Sequence, residues 1–587
     1  MSRLSSSVVL PRKSLVVAVV AIAMATSTAS AATEPPVRAP HAIVASGHEL
    51  ASQAGIEVMQ KGGGNAVDAA VATGFVLAVV LPEAGNLGGG GFMLLRLANG
   101  KSHFLDFREK APGGASRNMY LDAKGDVIPD GSLVGYRSIA VPGSVAGLVY
   151  AQSKFGKLTL PQVMAPAIRF AREGFKLSNH DTRLLRDHNL ATFPESHRIF
   201  QRDGQYYRPG EILKQPELAR TLERIAADPD SFYRGAMAKT LAALIQKGGG
   251  LVTAKDLADY DVKEREPVHG RYRGYEIISA PPPSSGGIAL IELLNILEGY
   301  DLLKFGSGSA ESVHLITEAF RRAFFDRAEL LGDPDFATIP VATLLDKHYA
   351  AAWRESLDPA HATPSASIRR PVQVLDKLDR VAVAEPIHTT HYSVIDSIGN
   401  AVAVTTTLND DFGSHVTAEG LGFLLNDEMD DFTLKPGTPN MFGLIQGEPN
   451  AIAPGKRPLS AMSPTIVLKE GKLLMVLGSR GGPKIITAVA EVLINVLDYG
   501  MDIQQAVTAP RFHHQWLPDV LQVEKNGFFP AVGNRLASMG HRIQEGYTER
   551  GEWSGHWGDV ECVAIDPKTG ERLGAKDRRA EGKPLGY

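Results

Sequence analysis

From Asn65 to Val80 the chain reads NAVDAAVATGFVLAVV, apolar at nearly every helical position. A helix without a polar face has to be enclosed on all sides. Gly62-Gly63-Gly64 precedes it, and Asn65 is placed to cap its first turn. Neither it nor any later stretch reaches about 18 uninterrupted apolar residues, so a buried helix in a large soluble body is expected, not a membrane span. Composition agrees: of 587 residues, 44% are hydrophobic and 21% charged, enough to build a sizeable core and too apolar for disorder. At about 150 residues per domain the length allows about four domains, a loose bound. With 61 Lys+Arg against 65 Asp+Glu, the net charge of −4 argues against a nucleic-acid partner. A single cysteine, Cys562, excludes an intrachain disulfide, a Cys-cluster zinc site and an Fe–S cluster.

The N-terminus has the pattern of an export signal. Arg3, Arg12 and Lys13 precede the apolar run Leu15–Ala25, and Ala29-Ser30-Ala31 supplies a small-residue cleavage signal. Residues 1–31 are therefore expected to be a signal peptide, cut after Ala31. The mature chain is expected to be periplasmic or secreted, with no membrane association after signal removal. An uncleaved anchor is disfavoured because the run is short for about 30 Å of hydrocarbon.

Helix signals dominate the first two-thirds. Thr159-Leu160-Pro161-Gln162 is a capping box opening an amphipathic helix, Val163–Glu173, which Gly174 closes. A second long helix is expected over Glu311–Leu331. Pro281-Pro282-Pro283-Ser284-Ser285-Gly286-Gly287 reads as a rigid loop, and the stretch from Asp358 to Glu385 as an exposed connector. After Glu385 the pattern changes to strands: TTHYSVID over Thr389–Asp396 and NAVAVTTT over Asn400–Thr407. Ser397-Ile398-Gly399 between them fits a three-residue hairpin loop with glycine in the left-handed region. That loop pairs Asp396 with Asn400 and, counting back, sets Thr389 opposite Thr407. Asn409, two residues on, is expected on the same face. Strand propensity alone accounts for the threonines. Gly481-Gly482, after the strand-like Leu473–Leu477, is by itself a turn signal, or a pair of amides open to an anion. Gly88–Gly91 lacks the Lys-Ser/Thr of a phosphate loop and reads as close backbone packing.

Longer motifs shift the balance. They are Pro82-Glu83-Ala84-Gly85-Asn86-Leu87-Gly88-Gly89-Gly90-Gly91-Phe92, Asp106-Phe107-Arg108-Glu109, Thr389-Thr390-His391-Tyr392-Ser393-Val394 and Gly399–Thr405 with Thr407-Leu408-Asn409. Further on come Asn426-Asp427-Glu428-Met429-Asp430-Asp431-Phe432, Lys456-Arg457-Pro458-Leu459-Ser460, Met462-Ser463-Pro464-Thr465, Gly478-Ser479-Arg480-Gly481-Gly482 and Ala509–Trp516. In this order, from about Ala42 to the C-terminus, the chain resembles the bacterial gamma-glutamyltransferases.

The resemblance implies an α+β N-terminal-nucleophile (Ntn) hydrolase, a four-layer αββα sandwich. It implies one precursor that cuts itself between His388 and Thr389. The products would be a large subunit, 32–388, paired with a small subunit, 389–587. The implied reaction is attack on gamma-glutamyl amides such as glutathione, with transfer to water or to an amino acid or peptide acceptor, and without metal or cofactor. A threonine hydroxyl needs a base, and a free α-amine with a pKa of about 7.7–8.0 can serve on the same residue. The family pattern makes Thr389 the nucleophile, Thr407 its orienting partner and Gly481-Gly482 the oxyanion hole. Arg108 and Ser460 would hold the substrate carboxylate, and Asp431, Glu428 and Asn409 its ammonium. Ala461 and Gly482 would also line the substrate pocket. Ala461 replaces a frequent serine, Glu428 a frequent glutamine and Phe442 a frequent tyrosine in a lid segment.

Competing expectations are a related acylase of glutaryl or beta-lactam side chains and a non-catalytic periplasmic binding protein. A metallohydrolase is weaker: His513 and His514 are adjacent, fit a structural role beside Trp516, and no H-E-x-x-H is present. No G-x-S-x-G elbow supports a serine hydrolase.

Overall fold

The computed structural model describes residues 34–371, 389–441, 443–546 and 557–587. The expected signal peptide (1–31) with its cut after Ala31, His388 and Phe442 lie outside the described residues.

From Pro36 to Tyr587 the chain forms one body around two seven-stranded sheets. In the first, Thr390–Ile395 and Ala401–Thr407 lie at the centre. Ile43–Ser46 and Leu585–Gly586 flank them on one side, and Gly90–Arg96, Ser102–Phe107 and Lys263–Arg265 on the other. The second runs Val37–Ala39, Arg572–Ala575, Val560–Ile565, Lys472–Ser479, Thr465–Lys469, Tyr275–Ser279, Val268–Tyr272. Neighbouring strands in both are antiparallel. A core of Phe92, Leu94, Ile395, Ile466, Val476 and Val563 fills the space between the sheets, and separate helical cores cover their outer faces. This is the expected αββα sandwich.

The all-apolar segment is the helix Ala66–Val80, buried at every position. Asn65 Oδ1 accepts from the amides of Val67 (2.9 Å) and Asp68 (3.1 Å), and Asp68 Oδ2 accepts from Asn65 N–H at 2.7 Å. Asp396, from the hairpin loop, accepts from Ala66 N–H at 3.1 Å, so the turn after the first threonine strand helps to cap this helix. The helix lies against that strand: a Cβ on Gly74 would come 2.6 Å from Tyr392 Oη. Asn65→Ala is expected to cost about 0.5–2 kcal/mol, the range of a lost N-cap. A lowered urea midpoint with unchanged activity per folded molecule is the expected readout.

The hairpin has the anticipated register. Thr390 pairs with Thr406 and Ile395 with Ala401, Asp396 N–H donates to Asn400 C=O at 3.1 Å, and Gly399 has φ +91°. Continued one step, this sets Thr389 across from Thr407. Asn409 departs from the expectation. Its φ is +85°, so the pleat ends before it and it reaches its neighbours through a turn.

Other segments differ from the sequence reading. Leu160–Glu173 is helical three residues earlier than expected. The Pro281 loop ends at Ser285, because Gly286 and Gly287 begin the helix Gly286–Leu297. These glycines are needed there: Cβ atoms on them would lie 2.3 Å from Met462 C=O and Ala280 C=O. The segment after Asp358 is not simply exposed. Ser365 and Ile368 are buried, and Ser365 C=O accepts from Trp516 Nε1 at 3.1 Å. The strands Gly90–Arg96 and Ser102–Phe107 gave no clear signal, since burial on both faces removes the alternation that marks a half-exposed strand.

Candidate active site

Thr389 and Thr407 face each other, with Oγ1 atoms 3.3 Å apart. Asn409 N–H donates to Thr407 Oγ1 at 2.9 Å. With a lone pair so occupied, Thr407 can direct its own proton toward Thr389. The strand bearing Thr407 sits tightly against Gly88–Gly91. A Cβ on Gly89 would lie 2.0 Å from Thr407 C=O, and one on Gly91 2.2 Å from Thr405 C=O. The glycine run therefore serves close backbone approach, as read from the sequence.

Gly481 and Gly482 follow the strand Lys472–Ser479 and precede the helix Lys484–Leu497. Their φ angles are +124° and +52°, in the region that favours glycine. Their carbonyls accept from Lys484 and Ile485 N–H at 3.0 Å each. Their own amides have no acceptor among the described residues. Gly482 shares a cavity wall with Thr389, whereas Gly481 lies off the lining and packs on Gly558.

A buried charge cluster lines the same cavity. Arg108, on the loop after Ser102–Phe107, is fully buried. Its Nη1 lies 2.6 Å from Glu428 and 3.5 Å from Glu109, and its Nη2 contacts Asp431. Burial works against its charge, but the three carboxylates outweigh this and hold the guanidinium firmly protonated. Burial pushes Glu109 up to about 7 against the opposing pull of Arg108, and pushes Glu428 well above the carboxylate range. Asp431 is oriented by Asn440 Nδ2, which donates to Oδ1 at 3.2 Å, and by Gln446 and Asn450, which donate to its carbonyl at 3.0 and 2.7 Å. Asn409 Nδ2 donates to Asp427.

Ser460 and Ala461 complete the lining. The Ser460 carbonyl accepts from the N–H and Oγ of Ser285 at 2.8 and 2.6 Å, so the triple-proline loop braces this wall. Met462 N–H donates to Ser460 Oγ at 3.1 Å. Thr389, Thr407, Asn409, Arg108, Glu428, Asp431, Ser460, Ala461 and Gly482 thus line a single cavity. Sequence reasoning missed Arg327, Leu444, Met462, Pro483 and Ile485, which line it too. Arg327 lies in the helix Ala310–Leu330, where a charge normally reads as solvated, so no local signal marked it. His513 and His514 lie elsewhere and serve structure: His513 bonds Thr487 and Gln515, and His514 Nδ1 accepts from Trp516 N–H.

Away from the cavity, burial pushes Glu83 and Asp411 each up to about 8, and pushes His391 and His514 down to about 3 and 4. Well above pH 6.5 these histidines are neutral in both folded and unfolded chains. The two carboxylates then bind protons in the folded state but not in the unfolded one, so stability falls as pH rises. The urea midpoint is expected to drop between about pH 6.5 and 8, and Glu83→Gln to flatten that slope.

The profile of the gamma-glutamyltranspeptidase family matches residues 51–587. The chain is 49% identical over 528 residues to the glutathione hydrolase proenzyme of Pseudomonas sp. (strain A14), covering 89% of this chain and 90% of that protein. It is 45% identical over 549 residues to the glutathione hydrolase proenzyme of Escherichia coli (strain K12), covering 93% and 91%. Among solved structures, cephalosporin acylase from Bacillus halodurans matches with a TM-score of 0.80 at 27% identity, covering 96% of this chain and 98% of that one. Gamma-glutamyltranspeptidase from Pseudomonas nitroreducens, complexed with L-DON, matches with a TM-score of 0.52 at 45% identity over 55% of this chain and 96% of that one. By sequence, by fold and by the match over nearly its whole length, this chain belongs to the gamma-glutamyltranspeptidase family.

Proposed function

We propose that the protein is a glutathione hydrolase and gamma-glutamyltransferase that matures by cutting itself before Thr389. The observation that carries this is the pairing of Thr389 with Thr407 at 3.3 Å in a cavity that Arg108, Glu428 and Asp431 also line. In the precursor, Thr389 Oγ attacks the carbonyl carbon of His388, the amide nitrogen leaves protonated as the Thr389 amine, and water hydrolyses the resulting ester. In the mature enzyme that amine takes the hydroxyl proton as Oγ attacks the γ-carbonyl carbon of the donor. It returns the proton to the departing amine, cysteinylglycine when the donor is glutathione. The acyl-Thr389 ester then passes to water or to an acceptor amine, in a second turn of the same proton transfer. Thr407 orients Oγ in both reactions. The Gly482 amide, with Gly481 behind it, faces the oxyanion. Arg108 and Ser460 receive the donor carboxylate, and Asp431, Glu428 and Asn409 its ammonium.

We further place residues 1–31 as a signal peptide, 32–388 as the large subunit and 389–587 as the small one, working in the periplasm or medium. The test is N-terminal sequencing of the smaller band, expected to begin Thr-Thr-His-Tyr, with an assay on a gamma-glutamyl anilide. An intact, active chain would refute the reading. Gly482→Ala keeps the amide N–H but puts a Cβ on a residue at φ +52°, so it is expected to misaim the oxyanion donor and lower kcat by up to about 10²–10³, the effect of one lost donor, while self-cleavage products remain visible on a gel.

The likeness to a cephalosporin acylase keeps one second reading in play, an acylase of glutaryl side chains. Such a substrate has no α-ammonium and leaves Asp431 and Glu428 without a purpose. A preference for gamma-glutamyl over glutaryl anilide separates the two.

A further inference from the structure

Two arginines line the donor cavity, and their charged surroundings differ. Arg108 contacts three carboxylates. Arg327 contacts none within ion-pair distance among the described residues, although it is only 2% exposed. Its Nε donates to Ser285 Oγ at 2.8 Å. Neither Nη1 nor Nη2 has an acceptor among the described residues, and Nη1 is out of contact with water. Burial pushes its pKa down to about 10, with only a distant Asp431 opposing. An uncompensated buried guanidinium is costly, and the cost is recovered when a ligand brings the missing anion.

A gamma-glutamyl donor brings one carboxylate and one ammonium. The ammonium needs acceptors, which are Asp431 and Glu428. The carboxylate needs a cation with open donors. Placed on Arg108 alone, it would lie beside the carboxylates already gathered there. We propose that Arg327 is a second carboxylate-binding guanidinium of this site: its Nη2 reaches the α-carboxylate of the gamma-glutamyl donor and selects for acyl groups that carry one. Its Nε bond to Ser285, which in turn donates to the Ser460 carbonyl, fixes the guanidinium against the wall bearing the Ser460 hydroxyl. The inference rests on the gamma-glutamyl reading above.

Three anilides test it on the mature enzyme: gamma-glutamyl, glutaryl (carboxylate without ammonium) and 4-aminobutyryl (ammonium without carboxylate). Wild-type hydrolysis of the first is measured beforehand, so failure of the functional reading shows separately. Arg327→Gln is expected to raise KM about 10- to 100-fold for the two carboxylate-bearing acyl groups, the scale of a lost charge-assisted pair. It is expected to leave kcat/KM for the 4-aminobutyryl anilide essentially unchanged. An equal loss on all three, or no loss on any, overturns the proposal in favour of a purely structural arginine. Should Arg327→Gln not mature, a crystal structure of the wild-type enzyme with L-glutamate decides. A carboxylate oxygen within about 3.5 Å of an Arg327 Nη atom supports the assignment, and any longer separation overturns it.

Discussion

Thr389→Ala is expected to yield one full-length band and no measurable hydrolysis of a gamma-glutamyl anilide. Removing Oγ deletes the atom that attacks the preceding carbonyl, so the peptide bond stays closed. Without that cut, residue 389 has no free amine, and the base is lost together with the nucleophile. The effect is therefore complete, unlike the partial losses expected elsewhere in the site. Thr389→Ser keeps the oxygen but lacks the branched methyl that restricts χ1. It is expected to cut itself more slowly and still reach two bands. Thr407→Ala keeps nucleophile and base but removes the hydroxyl 3.3 Å from Oγ, so slowed cleavage and reduced kcat are expected. Two bands from Thr389→Ala would assign the cut to another protease.

The nucleophile end of this site was legible because it is local. Eighteen residues and one turn decide the pairing of Thr389 with Thr407, and Gly399 at φ +91° supplies the loop geometry the register needs. The Asn65 cap and the buried helix were readable for the same reason. Asn409 neighbours Thr407 as expected, but through a turn, since nothing in a strand pattern announces a φ of +85°. The charged wall is a different case. Arg108 and Asp431 are 323 residues apart, and each alone reads as a surface charge. Only the motif resemblance brought them together. Arg327 belongs to no such motif reading and stayed hidden, because helical periodicity cannot distinguish an arginine facing water from one facing a cavity.

The second large effect is expected at Arg108. Arg108→Leu leaves Glu109, Glu428 and Asp431 buried together without their guanidinium. Breaking a buried ion pair by removing one partner costs about 3–5 kcal/mol, enough to threaten folding of the precursor. The sign of its pH dependence follows from which state binds protons. Stripped of Arg108, the carboxylates are expected to take up protons on folding, so the variant loses stability relative to wild type as pH rises. Its deficit in urea midpoint is expected to be smaller near pH 5 than near pH 8. Arg108→Lys keeps a charge but offers a point contact in place of a planar fork spanning Glu428 and Asp431. It is expected to recover most of the stability while KM for the gamma-glutamyl anilide stays at least about tenfold high. If Arg108→Lys matched the wild-type KM, the planar geometry would be irrelevant to binding, and the carboxylate would have to be held elsewhere, with Arg327 the guanidinium in place to do it.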